Sequence, residues 1–243
     1  MSNVNDPSWS EYFTGDELEE ISNHNNPALP KVSEKVKNHL DLFRTFDASK
    51  NPNGKTTEEL MAYQVNNTGL DYKEDFDLIW INNSIAQATE LYRWAYFPLT
   101  DHSEGDLLRR VWQFVDTCFD DQKIQVRGGE KTSAASALRK NEGRNNAGVE
   151  AMTRKALGHR GDLIFVKSGL ELGCGELGRY DRGPKGSKEM REGFLKTPKM
   201  MKDELCALIA KCPDQVAKLR IVGFISMGLT LQMLIMDCPK GNV

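Results

Sequence analysis

An α/β fold with an N-terminal helical extension is what this 243-residue chain predicts. Three observations carry the prediction. Short apolar runs bounded by turn residues recur in the second half of the chain, at 163–166, 170–177, 219–228 and 230–239; such runs read as strands. Amphipathic helical periodicity appears before and between them. The order that results is helix, three strands, helix, two strands, which is the alternation of an α/β core. The length suits one or two domains and would bury roughly 70–75% of the unfolded surface in one unit.

The elements follow in chain order. Residues 1–30 hold Pro7, Pro27, Pro30 and the Asn-rich ISNHNNPALP, and read as a poorly ordered lead. A helical extension packed on the core is expected over 31–100. It begins with a short helix between Val32 and Phe46, with Val36, Leu40, Leu42 and Phe43 as apolar positions. A linker follows, DASKNPNGKTTEE; its Gly54-Lys55-Thr56 imitates the end of a phosphate-binding loop, but Ser49 occupies the first Gly position and the reading fails. Phe76 to Trp94 is an amphipathic helix whose stripe includes Phe76, Ile79, Trp80, Leu91 and Trp94, with Trp80, Trp94 and Tyr92 assigned to the core.

The α/β core is expected over 101–243. Ser103, with Asp106 three residues on, begins a helix that buries Leu107, Val111, Phe114, Val115 and Cys118. Lys123 to Arg127 alternates like a strand. Thr197 as cap and Pro198 in the first turn start a helix that runs to Cys212. LRIVGFISMG and TLQMLIMDCP close the chain as two strands.

Composition excludes several classes. Hydrophobic content of 39% and charged content of 28% are those of an ordinary water-soluble chain. No apolar run approaches the ~18 residues of a membrane span, and MSNVNDPSWSEYF has no signal-peptide core. Five cysteines without a CxxC pair read as reduced, mostly buried thiols of an intracellular protein. The net charge of −3 is uneven: residues 1–80 carry 15 acids and 7 bases, a balance of −8, so the remainder carries +5. That balance is compatible with a polyanion partner without requiring one.

An insertion at 128–160 separates the first two strands and holds seven Lys/Arg against three Glu. Its small residues cannot bury much, so it reads as an exposed loop with a short helix. Arg139, Lys140, Arg144, Arg154, Lys155 and Arg160 are candidate phosphate contacts; a solvated loop is the alternative.

The segment GHRGDLIFVKSGLELGCGELGRYD, 158–181, carries the chemistry. Leu163–Val166 and Leu170–Leu177 read as a hairpin closed by the three-residue loop Lys167-Ser168-Gly169. In that register Asp162 faces Cys174, and Glu176 stands one diagonal step away on the same face, so the two carboxylates can converge on one cation. A two-residue turn would invert the parity. Acids at hairpin ends are often only solvated, but Glu176 lies within a run of Gly, Leu and Cys where an unpaired charge is costly.

The αβββαβ order, with an acid on the second strand and a hydrophobic-x-Glu segment on the third, resembles the PD-(D/E)XK nuclease-like superfamily. The resemblance implies a restriction-endonuclease-like core, a mixed sheet with flanking helices, and a divalent metal held by acids. Asp162 matches the strand Asp, Glu176 the Glu of the ExK signature, and Glu104 the optional acid of the first helix. The implied ion is Mg²⁺ on Glu104, Asp162 and Glu176. The Lys position of the signature is Gly178, so the ammonium must come from elsewhere. The following helix offers Lys199 and Lys202, of which Lys202 completes the expected catalytic set with Asp162 and Glu176. More narrowly, ALRKNEGR, GHRGDLIF, ELGCGELG, TPKMMKD and VGFISMGLTLQMLIMD are similar to a large group of uncharacterised fungal proteins, from about Phe76 onward, and that likeness brings no activity with it.

The expectation is therefore a nuclease-like protein that binds nucleic-acid phosphates, DNA foremost, with a Mg²⁺-dependent phosphodiesterase activity. A catalytically degenerate relative acting as an interaction module is the alternative. A structural domain with merely solvated acids is a third.

Overall fold

The computed structural model describes residues 14–23, 31–44, 55–144, 154–181 and 195–238. Most of the expected lead lies outside them, but α1 (Gly15–Asn23) is a helix with Asp16 and Glu17 in its first turn. Acids there complement the partial positive charge of the helix start. The chain divides into two units, 30–124 and 125–243, with residues 1–29 grouped with the second. The division falls at 124/125 rather than at 101.

The helical unit contains α2 (Glu34–Asp41), α3 (Thr57–Met61), α4 (Phe76–Arg93), α5 (Glu104–Arg110) and α6 (Gln113–Thr117). Thr56, part of the rejected phosphate-loop look-alike, caps α3 in a reciprocal capping box with Glu59. The expected Ser103–Asp106 capping box is present at α5. Leu78, Ile79, Ile81 and Leu91 are the buried apolar positions of α4, and Asn82 is buried among them. Asn82 is satisfied on all sides: its Oδ1 lies 2.6 Å from His39 Nε2 and accepts from Tyr63, and its Nδ2 donates to Asn66 O and Asn67 Oδ1. The core assignment of Tyr92 and Trp94 is corrected, because both are exposed. The helix ends at Arg93, so Trp94 falls at the cap, where its indole N–H donates to Glu90.

The α/β unit is a five-stranded mixed sheet in sequence order: β1 (Gln125–Thr132), β2 (Arg160–Lys167), β3 (Leu170–Gly178), β4 (Arg220–Met227) and β5 (Thr230–Asp237). β1/β2, β2/β3 and β4/β5 are antiparallel, and β3/β4 are parallel. Parallel neighbours need a crossover. The described helix of that connection is α8 (Thr197–Lys211), which packs Met200, Met201, Leu205 and Leu208 on Ile164, Val166, Cys174 and Ile221. Gly223 lets α8 pack closely, since a Cβ there would stand 2.6 Å from Met201 Sδ and make that side chain shift. Of the five thiols only Cys174 is fully buried, and all five are free.

The insertion is more ordered than its composition suggests. β1 extends into it as far as Thr132, and Ser133 caps a further helix, α7 (Ala134–Lys140). Glu171 of β3 accepts from Ser133 Oγ (2.6 Å), Ala134 N (2.7 Å) and Ala135 N (3.1 Å), so its carboxylate closes the start of α7. Gly158 passes beneath that helix, where any Cβ would overlap the carbonyl oxygen of Ser133. Residues 145–153 lie outside the described set.

Candidate functional site

The hairpin turn is tighter than expected. Lys167 pairs with Leu170, leaving Ser168 (φ 51°) and Gly169 (φ 79°) as a two-residue turn. Positive φ at both central positions is the primed geometry that matches strand twist. Such a turn alone would invert the parity. A register shift after Phe165/Val166 inserts one residue and restores it, so that Ile164 pairs with Cys174 and Leu163 with Gly175. The two departures add to a shift of two residues, which keeps the parity but puts Ile164, not the expected Asp162, opposite Cys174.

The β2/β3 ladder stops there. One step further, the Asp162 side chain takes over from the backbone: its Oδ2 accepts from Leu177 N at 2.7 Å. Leu177 N belongs to the peptide that Glu176 begins, so the two acids arrive at the same end of the sheet. On the other side of Asp162, β1 is bulged between Gly128 and Lys131, with Gly129 (φ +84°) and Glu130 (φ 51°) in the left-handed region. Bulges are over-represented beside functional sites because they re-aim side chains.

Glu176 is 3% exposed, and its Oε2 accepts from Lys196 Nζ at 2.7 Å. Lys196 lies just before α8, in helical conformation, and Thr197 is the first helical residue rather than the cap. Lys196 thus reaches Glu176 from the entry of α8. Gly178 itself is buried in β3 opposite Met227. A buried carboxylate with a half-buried ammonium is a pair whose attraction is little weakened by solvent.

Lys199 and Lys202 are exposed along α8, away from its packed face. Glu104 belongs to the helical unit, in the first turn of α5. Among the described residues, no group of three or more His, Cys, Asp or Glu side chains is arranged to hold a metal ion. The three-acid set of Glu104, Asp162 and Glu176 is not gathered as such a group. Within the α/β unit, the Asp162 carboxylate is bonded to the amide that follows Glu176, and the Glu176 carboxylate to Lys196.

The basic residues of the insertion divide by role. Arg139 is ion-paired to Asp203 of α8, whose side chain is 3% exposed, so this guanidinium neutralises a buried acid. Lys140 Nζ donates to Leu157 O at 3.1 Å. Arg160 lies 3.6 Å from Glu130. Arg154 and Lys155 are exposed, and Arg144 is half-buried.

One further acid lies near the site and was not singled out from sequence. Glu204, on α8, is fully buried beside Cys174. Burial above all, then the charges of Glu171 and Asp203, pushes its carboxyl up to about 9, so it is protonated at neutral pH. Burial likewise pushes the Cys174 thiol far up, which leaves it inert as a nucleophile. The helical unit has an apolar cavity of about 340 Å³, lined by Phe43, Leu60, Met61, Ile85 and Tyr92 among others, which offers no comparable acid or base set.

Compared with protein-family models, with curated proteins and with solved structures, the chain matches none.

Proposed function

We propose that the α/β unit binds nucleic-acid phosphates and acts on them as a metal-dependent phosphodiesterase of the PD-(D/E)XK type. The observation that carries the reading is the Lys196–Glu176 bond beside Asp162, an ammonium and two carboxylates at one sheet end. Three antiparallel strands followed by a helix and a parallel strand, with the acids on the second and third, also fit a restriction-endonuclease-like core.

Phosphodiester hydrolysis needs charge neutralised at the phosphate and a water made nucleophilic. Asp162 and Glu176 suit Mg²⁺, which is commonly held by one or two carboxylates and keeps waters and substrate oxygens as its other ligands. Bound there, the ion would polarise the phosphate and acidify a water. Lys196 would hold its proton at Nζ and present positive charge to the phosphate oxygens. The exposed Lys140, Arg154, Lys155, Lys199 and Lys202 would add sequence-independent attraction to the backbone, with DNA as the expected partner.

A second reading has its own support. Lys196 already neutralises Glu176, and no three-ligand group occurs among the described residues. Both features suit a degenerate relative that binds nucleic acid or protein without cleaving. A Mg²⁺ titration with a cleavage assay separates the two. Cleavage that needs Mg²⁺ and is lost in Glu176→Gln and Asp162→Asn supports the enzyme. Nucleic-acid binding without cleavage supports the module. Cleavage that survives both substitutions rejects the site.

A further inference from the structure

The sheet has two edges, β1 and β5, and the sequence treats them differently. An edge strand offers a row of backbone N–H and C=O groups with which another extended chain can pair. β1 is guarded against this. It carries Arg127, Glu130 and Lys131, and its bulge puts Gly129 and Glu130 in the left-handed region. β5 has none of these devices. Residues 229–236, LTLQMLIM, hold no charge and no Pro, and the β4/β5 register runs from Thr230 to Asp237 without a shift. Among the described residues β5 pairs with β4 alone. Its two faces differ as well. Leu234 and Met236 pack on the core that α8 covers. Leu231, Met233 and Ile235 alternate onto the other face, with Leu229 in the turn before them. Leu229 and Met233 are 53% and 51% exposed, and Leu231 and Ile235 are half-buried.

We propose that β5 is a self-pairing edge, which joins two copies of this chain, antiparallel across a twofold axis at Met233, into one continuous sheet. Register and charge both select a second copy. A twofold axis normal to the sheet keeps each face on its own side, so paired residues must share a face. With Met233 on the axis, Met233 faces its own counterpart, Leu231 faces Ile235, and Gln232 faces Leu234. The apolar face then continues across the junction. No like charges meet, because Asp237, the one charged residue of β5, falls opposite Leu229 and is aligned with Arg220 of β4. At ~3.4 Å per residue the edge is ~27 Å long, and a single strand edge covers less than the ~800 Å² per partner of a standard interface. The dimer therefore belongs to the weak class that forms and dissociates with concentration. The pairing does not depend on the nucleic-acid reading.

The test is sedimentation velocity on the full-length protein from ~1 to ~200 μM. The wild type should pass from monomer to dimer within that range. Met233→Lys sets two like charges opposite each other on the axis and should weaken the dimer roughly tenfold or more, and Met233→Glu should do the same. An equimolar mixture of the two variants should recover a dimer, because Lys then faces Glu. Position 233 is half open to solvent, so circular dichroism should show both variants folded. Should a charged variant fail to fold, Met233→Thr carries the test, with a weakened dimer expected and an unchanged one contrary to the proposal. A wild type that stays monomeric throughout overturns self-pairing, even if it captures an extended peptide of another protein. So does a folded Met233→Lys variant that dimerises like the wild type. A mixture of the charged variants that stays monomeric, while the wild type dimerises, places the dimer contact elsewhere and overturns it too.

Discussion

The Asp162 carboxylate is hydrogen-bonded to the backbone amide of Leu177, the peptide that leaves Glu176. The two acids are thus linked through the chain itself at the point where β2 and β3 cease to pair. A side-chain bond stands there where the backbone ladder stops. Asp162→Ala should therefore do two things at once. It should abolish Mg²⁺ binding, and it should lower stability by about 1–3 kcal/mol through the lost charged hydrogen bond. Asp162→Asn, which keeps an acceptor, should lose the metal with a smaller change in Tm. Calorimetry with and without Mg²⁺ reads both effects.

Lys196 is ion-paired with Glu176. Lys196→Met removes that ammonium from beside a carboxylate that is 3% exposed. Breaking such a pair typically costs about 3 kcal/mol, and less where the cation is part-exposed as it is here. Added Mg²⁺ should then raise the Tm of the variant more than that of the wild type, because the ion replaces a missing charge. Equal shifts would show that Mg²⁺ binds elsewhere. Lys202→Met, on the exposed side of α8, should leave Tm and metal response unchanged.

Glu204 makes stability depend on pH with a definite sign. Its folded carboxyl is raised from 4.5 to about 9, so the folded state holds a proton that the unfolded state gives up. The contribution is fully present below 4.5 and is lost as pH rises toward 9. Stability from this group should fall by up to about 1.4 kcal/mol per pH unit in that window. Glu204→Gln keeps the shape and removes the titration. Urea midpoints at pH 6 and 8 should differ less in the variant, and an undiminished difference would assign the effect to another group.

The insertion's cations should separate experimentally. Lys140→Ala and Lys155→Ala should each make the salt dependence of DNA binding shallower, by up to ~0.9 per lost phosphate contact. Arg139→Ala should instead lower stability by about 2 kcal/mol, because Asp203 is left buried and unpaired. A changed slope with unchanged Tm in Arg139→Ala would return that residue to the phosphate-binding set.

Much of the fold was legible because its signals are local. α4 and α8 fall within a residue of the periodic segments 76–94 and 197–212, and β4 and β5 lie within the apolar runs of 219–239. The hairpin was legible in outline only. Its two-residue turn and its bulge each shift the register by one, so that Cys174 pairs with Ile164 and not with the expected Asp162, and only the parity of the face is kept. Lys196 was passed over because nothing near Glu176 in sequence points to a side chain twenty residues on. Its placement depends on how α8 enters, which is tertiary. Arg139 is visible in the sequence only as a cation in a basic stretch, and its pairing with the buried Asp203 depends on packing.

The carboxylate that Glu171 lends to the start of α7 settles how the neighbouring arm can attract an anion. Free amides at a helix start would offer a phosphate a directional cradle that persists at high salt. Here that cradle is already filled from β3. Among its described residues, the pull the arm can exert comes from Lys and Arg side chains, as diffuse charge. It would gather a polyanion from a distance at low ionic strength and fade within a Debye length of ~8 Å at physiological salt. Under the proposed nucleic-acid reading, such an arm would gather a strand and would not grip one phosphate in place.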